Sequence, residues 1–169
     1  MANTYTLITS NTVGSGGVTQ VDFNSIPQTY TDLLIKTSTS STGFTVLRIR
    51  FNSVSTNDYT QKNIRASGTT VQSFSNAGWD SLAYLSPSYN NDGTNKFSNN
   101  EYYIPNYTGS DYKSLSGDSV TENNDTEAYI IPYAGLLSNT SAITSISFTT
   151  ASSNFAQYST FYLYGIKNS

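Results

Sequence analysis

The stretch Val46-Leu47-Arg48-Ile49-Arg50-Phe51 shows the cleanest alternation of apolar and polar side chains in this sequence. Successive side chains of a β-strand point to opposite faces. Leu47, Ile49 and Phe51 would therefore share one face, while Val46 and the two arginines would share the other. The stretch predicts a β-strand with one face turned toward a core.

Similar short runs recur along the chain and are separated by turn residues. The runs that we interpret as further strands are Val18–Phe23, Asp32–Thr37, Asn100–Ile104, Ala128–Ile131, Ile143–Thr149 and Thr160–Tyr164. Pro105 and Pro132 should end two of them, because proline cannot donate a hydrogen bond to a sheet. Clusters such as Asn90–Gly93 and Thr108–Asp111 are typical of turns. A short helical turn is the only helix we allow, over residues 58–63.

About eight short strands with frequent turns are typical of a sandwich or a barrel. We predict an all-β, single-domain, antiparallel β-sandwich, jelly-roll-like, with an immunoglobulin-like sandwich as the second choice. A chain of 169 residues fits one domain. Residues 1–12 are expected to form an N-terminal arm or the first strand, and residues 13–169 the sandwich.

The composition excludes several classes of partner. Charged residues make up 11% of the chain, aromatic residues make up 14%, and the net charge is −3. With eight Lys and Arg in total, a basic face for nucleic acid is not expected. No apolar run approaches the roughly 20 residues of a membrane-spanning helix. The start of the chain lacks the pattern of a secretory signal, and there is no Cys, so folding in a cytoplasm is expected.

The sequence contains no His and no Cys. It therefore lacks the residues of a Ser-His-Asp or Cys-His nucleophile and the usual zinc ligands. A pair of carboxylates could still serve a glycosidase, which leaves that class of enzyme as the third hypothesis. We predict a protein that is not an enzyme, with no catalytic residues, no bound metal and no cofactor.

The densest acidic stretch is Asp118–Glu127. Carboxylate and carbonyl oxygens suit calcium, but this stretch lacks the spacing and the glycine of an EF-hand loop. We favour a solvated connection between strands over a calcium loop.

Fourteen tyrosines and one tryptophan are candidates for contacts with a partner. Aromatic rings stack on sugars, but they also fill sandwich cores and oligomer interfaces. The predicted partner-contact residues are loop aromatics: Tyr59, Trp79, Tyr89 and Tyr107. The segment Ala2–Thr12 is a further candidate, as an arm that docks on a neighbour by strand addition.

Several segments, spread in order over nearly the whole chain, resemble small structural proteins and fibre-tip domains of tailed phages that infect marine bacteria and cyanobacteria. These segments are Ile26–Leu33, Tyr103–Thr108, Ser116–Asn124, Gly135–Ile146 and Phe161–Ile166. None of them is a catalytic or metal-binding signature. The resemblance implies an all-β virion protein.

The resemblance leaves two positions on the virion open. The chain shows no pattern of a coiled-coil or β-helical shaft, which favours a capsid decoration (cement) protein that binds the major capsid protein or other virion proteins and stabilises the shell. A homotrimer would suit the three-fold positions of a capsid lattice. The alternative is a receptor-binding tail-fibre or head-fibre tip that recognises host glycans. Both imply location at the virion surface.

Overall fold

A computed structural model describes residues 4–43, 45–83, 87–88, 96–122 and 128–167. All regular elements within these ranges are strands. The twelve strands are β1 (Tyr5–Thr12), β2 (Gln20–Phe23), β3 (Asp32–Thr39), β4 (Thr45–Phe51), β5 (Tyr59–Ser67), β6 (Thr70–Trp79), β7 (Pro87–Ser88), β8 (Ser98–Ile104), β9 (Lys113–Glu122), β10 (Ala128–Leu137), β11 (Ile146–Thr150) and β12 (Thr160–Ile166).

The strands form two antiparallel sheets. The large sheet has the order β1-β12-β3-β8-β9-β10-β5-β6, and the small sheet has the order β2-β11-β4-β7. Within this order β1 pairs with β12, β2 with β11, β3 with β8, and β4 with β7. Four nested pairs divided between two sheets are the connectivity of a jelly roll. The predicted all-β, jelly-roll-like sandwich is confirmed.

Two hairpins are inserted into this eight-stranded scheme. Strands β5 and β6 follow β4, strands β9 and β10 follow β8, and all four extend the large sheet beyond β8. The turn between β5 and β6 consists of Gly68 and Thr69, and Gly68 has a φ of 52°. Glycine adopts such left-handed conformations without steric cost, which suits a two-residue hairpin turn. The insertions give the large sheet twice as many strands as the small one.

The core lies between the sheets and is centred on phenylalanines. Phe148 of β11 contacts Phe23 and Phe161 with ring centroids 5.5 and 5.0 Å apart, and Phe161 contacts Phe155 at 4.9 Å. The rings are tilted or edge-on in all three contacts, as aromatic pairs prefer. Leu47, which the sequence places on the core face of β4, is buried with Ile49 and Phe51.

Two local predictions are wrong. The helical turn predicted over residues 58–63 is absent, because residues 59–67 form strand β5, and β10 and β6 pair with its two edges. Pro132 does not end β10, which continues to Leu137. The proline is tolerated because the pairing with β5 skips Ile131 and Pro132, while the pairing with β9 continues through both residues.

The predicted strand runs from residues 18–23, 32–37, 46–51, 100–104, 143–149 and 160–164 correspond to β2, β3, β4, β8, β11 and β12. Residues 5–12 form β1 at one edge of the large sheet. Within the described ranges, no helix is long and apolar enough to cross a bilayer.

Candidate functional site

The large sheet has one face toward the core and one face away from it, which we call the outer face. Strand β8 shows the alternation directly, because Tyr102 and Ile104 are buried whereas Glu101 and Tyr103 are exposed. Residues paired across antiparallel strands share a face. The registers of the eight strands therefore identify the outer-face residues, and they form two adjoining surfaces that share Val120 of β9.

The first surface is an open groove across β12, β3, β8 and β9. Tyr162 pairs with Lys36, Lys36 with Glu101, and Glu101 with Asp118, so these four side chains form one row. The groove has a volume of about 540 Å³. A second hollow of about 310 Å³ shares Lys36, Glu101 and Tyr164 with it and extends toward β1.

The groove is polar at its centre and aromatic at one wall. Lys36 Nζ lies 2.7 Å from Glu101 Oε2, and both side chains are about half exposed. The hydrogen bond and the charge of Glu101 raise the pKa of Lys36. The rings of Tyr162 and Tyr164 lie 6.4 Å apart with an interplanar angle of 24°. Ionic groups beside two roughly parallel rings can bind a ligand that has both hydroxyl groups and apolar faces.

The second surface is an apolar patch that adjoins the groove at β9 and extends to the edge strand β6. Val120, Ile130, Ala66 and Val71 follow one another in register across β9, β10, β5 and β6. Ile64 lies on the same face of β5, two residues from Ala66. The exposed fractions are 70% for Val71, 49% for Ile64 and Ile130, and 39% for Val120. We call these five residues the apolar patch.

The apolar patch continues to the edge strand β6. This strand is last in the order of the large sheet and has the sequence TVQSFSNAGW, which contains no charged residue and no proline. Exposed edges usually carry Lys or Pro, which prevent pairing with another strand. Strand β6 has neither residue type, and among the described residues it pairs with β5 alone, so its outer backbone edge and the neighbouring apolar side chains could meet a partner.

Two of the predicted contact residues are core residues. Tyr59 is fully buried, and its hydroxyl accepts a hydrogen bond from Phe51 N at 2.9 Å. Burial raises the pKa of Tyr59 to about 12. Tyr107 is also fully buried and donates its hydroxyl proton to the carbonyl of Pro27. Neither ring is accessible in this fold, so a partner surface has to be sought at other residues.

Of the other two predicted contact residues, Trp79 lies within the described residues. Trp79 pairs with Tyr59 at the end of β6 and packs, half-buried, against the core. Tyr89 lies outside the described residues. Among the remaining tyrosines near residue 107, Tyr102 is buried, whereas Tyr112 is 58% exposed.

The acidic stretch 118–127 begins as a strand. Residues 118–122 belong to β9, and residues 123–127 lie outside the described part of the chain. In the described ranges, no group of three or more acidic side chains is arranged to hold a metal ion.

Three of the segments on which the sequence resemblance rests are in contact with one another, namely 26–33, 103–108 and 135–146. Gln28 donates to the carbonyl of Ile143 at 2.9 Å, and Ile143 N donates to the carbonyl of Tyr107 at 2.9 Å. Asp32 accepts hydrogen bonds from Tyr103 Oη at 2.6 Å and from Asn106 N at 2.9 Å. These contacts hold the connections between strands, so the segments serve the scaffold of the fold.

Sequence reasoning missed both outer-face surfaces. The alternation in residues 160–164 was sufficient to place Tyr162 and Tyr164 on one face, and the absence of charge in 70–79 was visible as well. The signal that was missing is the register, which brings Lys36, Glu101 and Asp118 from three strands into one row.

Comparisons of this chain with protein-family models, with curated proteins and with solved structures found no match.

Proposed function

We propose that this chain is a non-enzymatic structural protein of a phage virion, most simply a capsid decoration protein that binds the outer capsid surface and stabilises the shell. The observation that carries the proposal is the apolar patch with the unprotected edge of β6. The sequence resemblance supports the virion setting. The jelly-roll fold is compatible with it, because viral capsid domains often use this architecture.

The apolar patch suits binding to a protein. Monomeric proteins rarely leave large contiguous apolar surfaces exposed, and such surfaces commonly mark interaction sites. Each Å² of apolar surface removed from water contributes about 25 cal/mol. Val71, Ile64 and Ile130 are each about half exposed or more, so their burial would favour docking on a capsid subunit. Strand addition at β6 would fix the orientation through backbone hydrogen bonds.

Many copies on one lattice would strengthen weak individual contacts. Linked or repeated binding sites raise the effective affinity without any new contact. A homotrimer at the three-fold positions would bridge neighbouring capsid subunits. Light scattering of the purified protein tests this part of the proposal, and a monomer at micromolar concentration would contradict the trimer.

The location is tested by counting copies in purified virions with quantitative mass spectrometry. A decoration protein should be present in hundreds of copies, whereas a handful of copies would contradict this role.

The surface is tested with Val71→Lys and Ile130→Lys, which place charges in the apolar patch. Both variants should lose binding to particles that lack the protein. Tyr112→Lys is the matched control, because Tyr112 is exposed outside the patch and should bind normally.

A receptor-binding fibre tip is the second candidate. The groove with its two tyrosines favours it, because host recognition often involves surface glycans. Cryo-electron microscopy of the virion separates the two candidates by position and symmetry.

A further inference from the structure

The groove on the outer face has the features of a saccharide site, and we infer that it binds a segment of a neutral polysaccharide. This inference rests on the groove itself and holds for a protein on a capsid or on a fibre. The groove is separate from the buried tyrosines and from Trp79, where the sequence predicted contacts.

The aromatic wall supplies the apolar part of the site. Tyr162 and Tyr164 are two residues apart on β12, so their side chains project from the same face of the sheet. Their rings are half-buried and differ in orientation by 24°. The two roughly parallel rings form one wall of the groove, and a sugar ring that lies in the groove can pack its C–H face against them, in the way aromatic rings pack on other apolar faces.

The centre of the groove supplies hydrogen bonds. Lys36 donates, the carboxylates of Glu101 and Asp118 accept, and Asn99 can do both. The ion pair of Lys36 and Glu101 holds the two side chains in place at 2.7 Å. Neighbouring sugar hydroxyls act as donor and acceptor at once, so this mixture of groups matches them.

The charges select the kind of sugar. One lysine faces two carboxylates in the row Lys36, Glu101 and Asp118, which leaves the groove with a net negative charge. Uronic and sialic acids would be repelled, whereas neutral sugars would not. The groove is also open and crosses four strands, so it fits a polymer lying across the sheet better than an enclosed small molecule.

The test is affinity electrophoresis of the pure protein in gels that contain one soluble polysaccharide each. A neutral glucan, galactan and mannan are compared with alginate, which is acidic. At least one neutral polymer should retard the protein, and alginate should not. If no neutral polymer retards it, or if alginate retards it equally, the inference is wrong.

Variants then assign the binding to the groove. Tyr162→Ala and Tyr164→Ala should each weaken binding of the neutral polymer about tenfold, because each removes a stacking ring. Tyr162→Phe keeps the ring and should bind nearly normally, which separates stacking from folding. Tyr112→Ala is the control for an exposed tyrosine outside the groove. Equal binding by all four variants would contradict the site.

The net negative charge of the groove is tested with a further variant. Asp118→Asn keeps a polar side chain and removes one negative charge, so it should retain the neutral polymer and gain measurable retardation by alginate. If alginate still does not retard Asp118→Asn, the charge of the groove does not select neutral sugars. Loss of sugar binding in Tyr164→Ala with normal attachment to virions would separate the groove from the proposed capsid surface, since the apolar patch is intact in this variant.

Discussion

The stability of this protein should fall steeply between about pH 10 and pH 12, and Tyr59 should account for a measurable part of the loss. Its pKa is about 12 in the folded protein because burial disfavours the phenolate, whereas an unfolded tyrosine has a pKa of 10.0. The proton is therefore lost first from the unfolded chain as the pH rises. The stabilisation is complete below about pH 10 and disappears as the pH passes through the folded pKa.

The magnitude follows from the two pKa values. Each unit of pKa corresponds to about 1.4 kcal/mol, so a difference of about two units gives about 3 kcal/mol. Burial also raises the pKa of Tyr102 and Tyr133, so the total loss is larger than this. Their contributions have to be removed by a matched variant.

Tyr59→Phe is that variant. It removes the acceptor for Phe51 N, so it should be less stable than the wild type by about 1–3 kcal/mol at neutral pH. It has no phenol to ionise at this position. Guanidinium unfolding of both proteins at a series of pH values gives the difference in free energy of unfolding. This difference should shrink by about 2 kcal/mol between pH 10 and pH 12 and by about 3 kcal/mol once the pH is well above the folded pKa, where the variant becomes as stable as the wild type or more stable. A constant difference would show that the hydroxyl of Tyr59 titrates alike in both states and would refute the reasoning.

Two further predictions concern the scaffold. Gly165→Ala should destabilise the fold by about 1–3 kcal/mol, since a Cβ would lie 2.3 Å from the ring of Tyr30. Gly14→Ala, with no atom within 4 Å of its Cβ, should change stability by less than about 0.5 kcal/mol, and equal effects in thermal unfolding would contradict this. Asp32→Asn should lower the pKa of Tyr103 from about 12 toward its usual value, because the hydrogen bond to the Asp32 carboxylate is the main cause of the shift. NMR titration of labelled tyrosine rings measures it, and a pKa that stays at 12 would exclude this cause.

The fold class could be predicted because period-two alternation is a local property. Residues 46–51 alternate in sequence, and the structure buries Leu47, Ile49 and Phe51 on one face. The inserted hairpins could not be found in this way. Strand β6 is exposed along nearly its whole length, so its sequence carries no apolar alternation. Strand β5 has the polar residues Gln61 and Asn63 on its buried face, which hides the period.

The candidate site was the least predictable feature. Tyr59 and Tyr107 look like loop aromatics in the sequence, yet both hydroxyls bond to backbone atoms inside the fold. A tyrosine ring suits a core and a surface equally well, because it is apolar with one polar tip. Only the packing of the neighbouring elements decides which of the two roles it has.

The sequence by itself determined an antiparallel all-β sandwich, since alternation and turn residues act over a few neighbouring positions. It also determined that no His or Cys chemistry is available. The tertiary structure alone decided where the two surfaces of the large sheet lie. Lys36, Glu101 and Asp118 are separated by 65 and 17 positions in sequence, and strand register places them side by side. Register depends on hydrogen bonds and packing across the whole sheet, which no local pattern encodes.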